Sequence, residues 1–121
     1  RRTSSAASDV YKRQLGYRPL SYVGAYSATK AALIQITKSQ SIELAKYNIC
    51  VNALAPGYIL TDINRDQLEG ETGDLLKRKI PLKRFATVDE LDTIISMLLN
   101  VSNTYMTGAV IAVDGGLSTG L

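Results

Sequence analysis

The chain has 121 residues, 45 % of them apolar and 21 % charged, an ordinary soluble-domain balance. One cysteine and no histidine exclude a disulfide framework and leave no zinc ligand set, and no apolar stretch reaches the ~20 residues a membrane span needs. The net charge of +3 sits entirely in residues 1–14, where Arg1, Arg2, Lys12 and Arg13 face only Asp9; the neutral remainder offers nothing for nucleic acid.

Residues 1–14 have no alternation and no apolar run, and they are too polar for a signal peptide. This head reads as non-native sequence, resembling translated adapter read-through at the end of a fragmentary gene, or else as a disordered tail. Residues 15–121 form the expected folded unit, and the composition points to a cytoplasmic protein. Arg18-Pro19-Leu20-Ser21-Tyr22-Val23-Gly24 is loop, punctuated by its proline and glycine.

A long helix is expected over residues 25–46, small at Ala28, Ala31 and Ala32 and apolar at Leu33, Ile34, Ile36, Ile42 and Leu44. Its apolar positions cover more than one stripe, which implies burial on two sides. Tyr26 and Lys30 stand four apart on this helix, one turn above each other on one face. An ammonium that close favours the tyrosinate and draws the phenol pKa down from its usual value of about 10. The pair is thus a candidate general acid/base.

Residues 49–55 are a short apolar run with β-branched members, suited to a parallel strand covered on both faces. Cys50 within it reads as a buried, inert thiol. Pro56-Gly57 ends the strand, at the carboxyl edge where open α/β sheets bind ligands. Thr61 before Asp62 is also a candidate helix N-cap.

Residues 63–79 are charged, carry Gly70 and Gly73, and read as a mobile helical segment. Lys77-Arg78-Lys79 and Lys83-Arg84 put five basic residues in eight, either a solvated face or a surface for an anionic substrate or acidic carrier. Thr87-Val88-Asp89-Glu90 is a capping box opening a helix to about Asn100. Val88, Leu91, Ile94, Ile95, Leu98 and Leu99 give that helix one core-facing side. Residues 109–113 form the last strand, followed by the turn Asp114-Gly115-Gly116.

Three ordered stretches resemble the C-terminal half of a classical short-chain dehydrogenase/reductase. They are Ala25-Tyr26-Ser27-Ala28-Thr29-Lys30-Ala31-Ala32, Ile49-Cys50-Val51-Asn52-Ala53-Leu54-Ala55-Pro56-Gly57 and Thr107-Gly108-Ala109-Val110-Ile111-Ala112-Val113-Asp114-Gly115-Gly116. The resemblance implies an α/β fold, the C-terminal portion of a Rossmann-type doubly wound parallel sheet whose N-terminal half is missing. It implies an oxidoreductase that interconverts a carbonyl and a secondary alcohol with NAD or NADP. Tyr26 and Lys30 would be catalytic and would also touch the cofactor. Pro56, Gly57, the Ile59 backbone and the Thr61 hydroxyl would line the nicotinamide. Tyr22 and Val23 would border the substrate, unless they are ordinary loop packing.

The resemblance also implies a homodimer or homotetramer that packs through the second side of the long helix. Residues 79–85 and 113–116 are similar to those of 3-oxoacyl-carrier-protein reductases and of sugar-acid dehydrogenases such as gluconate 5-dehydrogenase. Two members of the family's constellation are absent: position 13, where the catalytic serine belongs, is Arg13, and the helix bearing the asparagine is missing. The competing readings are a truncated, inactive fragment and a non-catalytic scaffold that kept the fold. No metal site is expected, and no contact with nucleic acid or membrane.

Overall fold

A computed structural model of the chain describes residues 24–119, with side chains from Ala28 onward. Helix α1 spans Gly24–Leu44 and runs into a 3-10 turn, Ala45–Tyr47. Asn48 stops it in the left-handed region at φ 57°, a conformation asparagine tolerates, with its N–H on the Ala45 carbonyl. Among the covered positions, Lys30, Ile34, Thr37, Ser41 and Leu44 repeat every three or four residues and form one stripe, with half-buried Ala31 and Leu33 beside it.

Two of those covered positions are polar and are met locally. Thr37 Oγ1 donates to the Leu33 carbonyl at 2.9 Å and Ser41 Oγ to that of Lys38 at 2.6 Å. The stripe lies against the segment entering the last strand: a Cβ on Gly108 would stand only 2.8 Å from Ser41 Oγ. The other apolar side is not covered, with Ile36 50 % and Ile42 78 % exposed. The chain therefore buries one side of this helix, where its sequence implies two.

Strands β1 (Ala53–Pro56) and β2 (Val110–Val113) pair in parallel, Ala53 opposite Val110 and Pro56 opposite Val113. The first strand starts later than residue 49, the start its apolar run implies, because side chains take over the ladder. Thr107 Oγ1 accepts the Val51 N–H at 3.0 Å, and Asn52 Oδ1 accepts that of Ala109 at 3.0 Å. Asn52 also donates to the Met106 carbonyl at 2.9 Å and is fully buried. Every polar atom of its amide that points inward thus has a partner. Backbone bonds flank it on both sides, the Gly108 N–H on the Val51 carbonyl at 2.7 Å and the Ala53 N–H on the Ala109 carbonyl at 2.8 Å.

Between the strands lie α2 (Arg65–Leu68), α3 (Glu71–Lys79) and α4 (Val88–Leu99). The single helical segment expected over residues 63–79 is divided in two at Gly70, whose φ of 143° no ordinary residue adopts comfortably. Leu68, Ile80 and Phe85 form a buried cluster, with Tyr58, Leu60, Leu76 and Leu117 packed around it. Helix α4 departs from expectation. Leu98 is buried and Leu91 and Ile94 are half-buried, but Val88, Ile95 and Leu99 are exposed. A sheet of two four-residue strands is too narrow to cover the whole apolar side of this helix.

Candidate functional site: the loop after the first strand

Gly57 leaves β1 so close to the other strand's end that a Cβ on it would lie 2.6 Å from the Asp114 Cα. Its N–H donates to the Val113 carbonyl at 2.9 Å, extending the ladder one residue past Pro56. The next three residues are backed by Ala86, which donates to the Tyr58 carbonyl and accepts from the Leu60 N–H, both at 2.9 Å. Ala86 thus bridges Ile59 in parallel, an isolated pairing beside the two-stranded sheet. Ile59 is buried.

Asn64 holds the far end of the loop. Its Nδ2 donates to the Ile59 carbonyl at 2.8 Å, and its Oδ1 accepts the Thr61 N–H at 2.7 Å. Thr61 is half-buried and is not the cap of a helix: that place belongs to Asn64, ahead of α2. Nothing in the sequence singled out Asn64 or Ala86, since neither residue type is unusual at its position.

Ala86 is itself fixed by an ion pair on the surface. Arg84 binds Glu90 through both nitrogens, Nη1 at 2.9 Å and Nη2 at 2.7 Å, and Nη1 also reaches the Phe85 carbonyl at 3.2 Å. The same carboxylate accepts the Thr87 N–H at 2.9 Å and closes the capping box of α4. The Arg84 guanidinium, followed by the Thr87 N–H, holds the Glu90 carboxyl down at about 2.

A carboxyl lowered by folding adds stability that is complete above its ordinary value of 4.5 and lost as pH falls towards about 2. Thermal unfolding followed from pH 5 downward should therefore show a loss of stability in this window that Glu90→Gln removes. The effect is small because both partners are exposed. An unchanged acid profile in the variant would dismiss the pair as a contributor.

The basic cluster is largely used inside the chain. Lys77 pairs with Asp74 at 3.6 Å and lies over the Phe85 ring at 5.3 Å. Lys83 Nζ donates to the Arg78 carbonyl at 2.6 Å, and Arg84 is held by Glu90. Arg78 and Lys79 are exposed. This favours the solvated-face reading over an anion-binding surface.

Pro56, Gly57, Ile59 and Thr61 thus form one continuous, braced loop at the carboxyl end of β1. Tyr26 and Lys30 form a second group one turn apart on α1, Lys30 half-buried. Tyr22 and Val23 lie outside the described residues, as does the Tyr26 side chain. A cavity beside the loop, lined by Tyr58, Arg84, Glu90 and Asp114, holds only about 100 Å³. That is below the ~300 Å³ typical of a small-molecule pocket. A larger cavity of about 390 Å³ opens beside Cys50, before the start of β1 and away from the loop. Cys50 is buried, its Sγ 3.7 Å from the Thr104 carbonyl. Among the described residues no cluster of metal-ligating side chains occurs, and no helix is long and apolar enough to cross a membrane.

Comparison with known proteins supplies the rest of the frame. A family profile described as enoyl-(acyl carrier protein) reductase matches residues 14–118. The 3-oxoacyl-(acyl-carrier-protein) reductase of Aquifex aeolicus is 45 % identical over 92 residues, 76 % of this chain and 37 % of that protein. A structure described as a gluconate dehydrogenase from Agrobacterium tumefaciens superposes with a TM-score of 0.82 at 28 % identity, over 98 % of this chain and 45 % of that one. An NADPH-dependent reductase of bacilysin biosynthesis gives 0.79 at 30 % identity, over 95 % and 45 % of the two chains. The chain accordingly spans a little over a third of the length of the curated relatives it matches. The parallel strands, the loop at their carboxyl end and the helix before them are thus part of a Rossmann-type sheet. With the profile matching most of its length, the chain belongs to the short-chain dehydrogenase/reductase family.

Proposed function

We propose that the protein to which this chain contributes interconverts a carbonyl and a secondary alcohol with NAD or NADP. The observation that carries the reading is the placement of Tyr26 and Lys30 one turn apart on an unbroken helix, in a chain that also has a braced loop after a parallel strand. The nicotinamide would supply or accept the hydride at the substrate carbon. Tyr26 donates its hydroxyl proton to the substrate oxygen in reduction and removes it in oxidation. Lys30 lowers the tyrosine pKa through its charge and hydrogen-bonds the ribose hydroxyls. The backbone of Ile59 and the hydroxyl of Thr61 hold the carboxamide end, and Gly57 lets the loop close on β2. This set suits a carboxamide: an apolar side chain at Ile59 leaves only backbone groups there to hydrogen-bond, and Thr61 adds a hydroxyl.

The substrate class follows the relatives, either a carrier-bound 3-oxoacyl group or a sugar acid. The engagement of Lys77, Lys83 and Arg84 within the chain gives no support to an acidic carrier docking on that cluster. The uncovered side of α1, with Ile36 and Ile42, is the surface for a second protomer in a homodimer or homotetramer. The 121 residues by themselves are catalytically inactive in this reading, because the cavity beside the loop falls short of a small-molecule pocket.

The test compares two purified samples, the intact gene product and the 121-residue chain. Each is assayed for oxidation of NADH and NADPH against a short 3-oxoacyl thioester and a keto-sugar acid. Turnover by the intact protein alone is the expected result. Absence of turnover and of cofactor binding in the intact protein would leave the scaffold reading standing.

A further inference from the structure

We infer that Asn64 is a positioning residue, whose side-chain amide holds Ile59 and Thr61 in the backbone conformation that receives the cofactor's carboxamide. The inference rests on the assignment of that loop made above. An asparagine at a helix N-cap ordinarily turns its oxygen forward onto an N–H of the first turn. Asn64 occupies that place before α2 and makes no such bond. Its amide turns backward instead, Oδ1 onto the Thr61 N–H at 2.7 Å and Nδ2 onto the Ile59 carbonyl at 2.8 Å. Both halves of the amide are therefore used, one as acceptor and one as donor, and the two partners fix its orientation.

The backbone of Asn64 is anchored as well. Its N–H reaches the Thr61 carbonyl at 3.2 Å, and its carbonyl accepts from Gln67 at 3.1 Å and Leu68 at 2.9 Å. Leu68 in turn belongs to the buried cluster with Ile80 and Phe85. The amide thus ties the ligand loop to packed structure on one side, while Ala86 ties Tyr58 and Leu60 on the other. Because the Ile59 carbonyl is engaged by Asn64, the direction of that peptide is set, and with it the backbone edge a carboxamide would meet. Threonine, of similar size, has one hydroxyl oxygen for both roles, whereas the amide carries its donor and its acceptor on separate atoms. Aspartate keeps the acceptor for Thr61 but turns an oxygen on the Ile59 carbonyl, and leucine supplies neither group.

The experiment uses the intact gene product carrying Asn64→Asp or Asn64→Leu, with folding checked by circular dichroism. Dissociation constants for NADPH and NADH are taken from fluorescence titration, and KM and kcat from turnover, between pH 7 and pH 4, a span that reaches the ordinary aspartate range. Loss of two net-favourable hydrogen bonds should weaken cofactor binding about tenfold or more in Asn64→Leu. The change should fall on the cofactor KM, with kcat altered much less. In Asn64→Asp the deficit should shrink as pH falls, because a protonated carboxyl can again donate to Ile59. The leucine variant should show no such recovery.

Unchanged cofactor affinity in both variants, or an equal and pH-independent loss in both, would overturn the inference. Aspartate keeps the Thr61 bond and so serves as the folded variant should leucine prevent folding. A wild-type protein that binds neither cofactor would instead overturn the functional reading, and this inference with it.

Discussion

Replacing Tyr26 by phenylalanine in the intact gene product should reduce kcat by a factor of about 10²–10⁴, the usual contribution of a positioned acid/base. Cofactor binding should be almost unchanged. The hydroxyl oxygen is the only heavy atom lost, so the helical backbone of α1 is kept. What disappears is the proton that neutralises the substrate oxygen as hydride arrives. Lys30 stands one turn on from Tyr26, and in the proposed assignment its charge would stabilise the tyrosinate. Lys30→Met should accordingly move the acid/base pKa of the pH–rate profile upward and weaken cofactor binding through the lost ribose contact. Steady-state kinetics and a cofactor titration on both variants separate the roles. If Tyr26→Phe lost cofactor affinity and kept turnover, the assignment would be reversed.

What the sequence disclosed about this site is local, and what it concealed is not. Tyr26 and Lys30 are legible because a helix brings residues four apart together whatever the rest of the chain does. Thr87 and Glu90 are legible for the same reason, and the capping box is where the spacing puts it. Pro56-Gly57 is legible as a strand end, and the structure agrees to within a residue. The start of that strand was not, because Asn52 and Thr107 interrupt the ladder with side-chain bonds to partners more than fifty positions away.

Asn64 and Ala86 were invisible for a related reason. Both act on the ligand loop through bonds to its backbone, and a backbone carries no sequence signal. Apolar spacing misled in one respect. Periodicity in α1 and α4 reports which faces are fit to be covered, not what covers them within these residues. Ile42 at 78 % and Leu99 at 59 % exposure are fit for burial, and neither is buried here. The basic run shows the converse. Its composition suggested a charged surface, while local geometry commits Lys77, Lys83 and Arg84 to partners nearby.

Gly57→Ala should be the most damaging single methyl group in the described structure's ligand loop. The new Cβ would lie 2.6 Å from the Asp114 Cα, 2.7 Å from its Cβ and 3.1 Å from its carbonyl oxygen. These are backbone and near-backbone atoms, which cannot rotate away as a side-chain tip could. Asp114 is also pinned by its own carboxylate, which accepts the Gly116 N–H at 2.9 Å and the Ser118 N–H at 2.8 Å. The adjoining Gly115 carbonyl accepts from Leu82 at 3.2 Å. With β2 unable to yield, the loop must lift, stretching the bond from the Gly57 N–H to Val113 and displacing Ile59 and Thr61 behind it. Overpacking of this kind costs about 1–3 kcal/mol, and the displaced loop should bind cofactor more weakly as well. Thermal unfolding and cofactor titration of Gly57→Ala beside wild type measure both effects. A variant equal to wild type in melting temperature and cofactor affinity would mean that the two strand ends stand further apart in the intact protein than they do here.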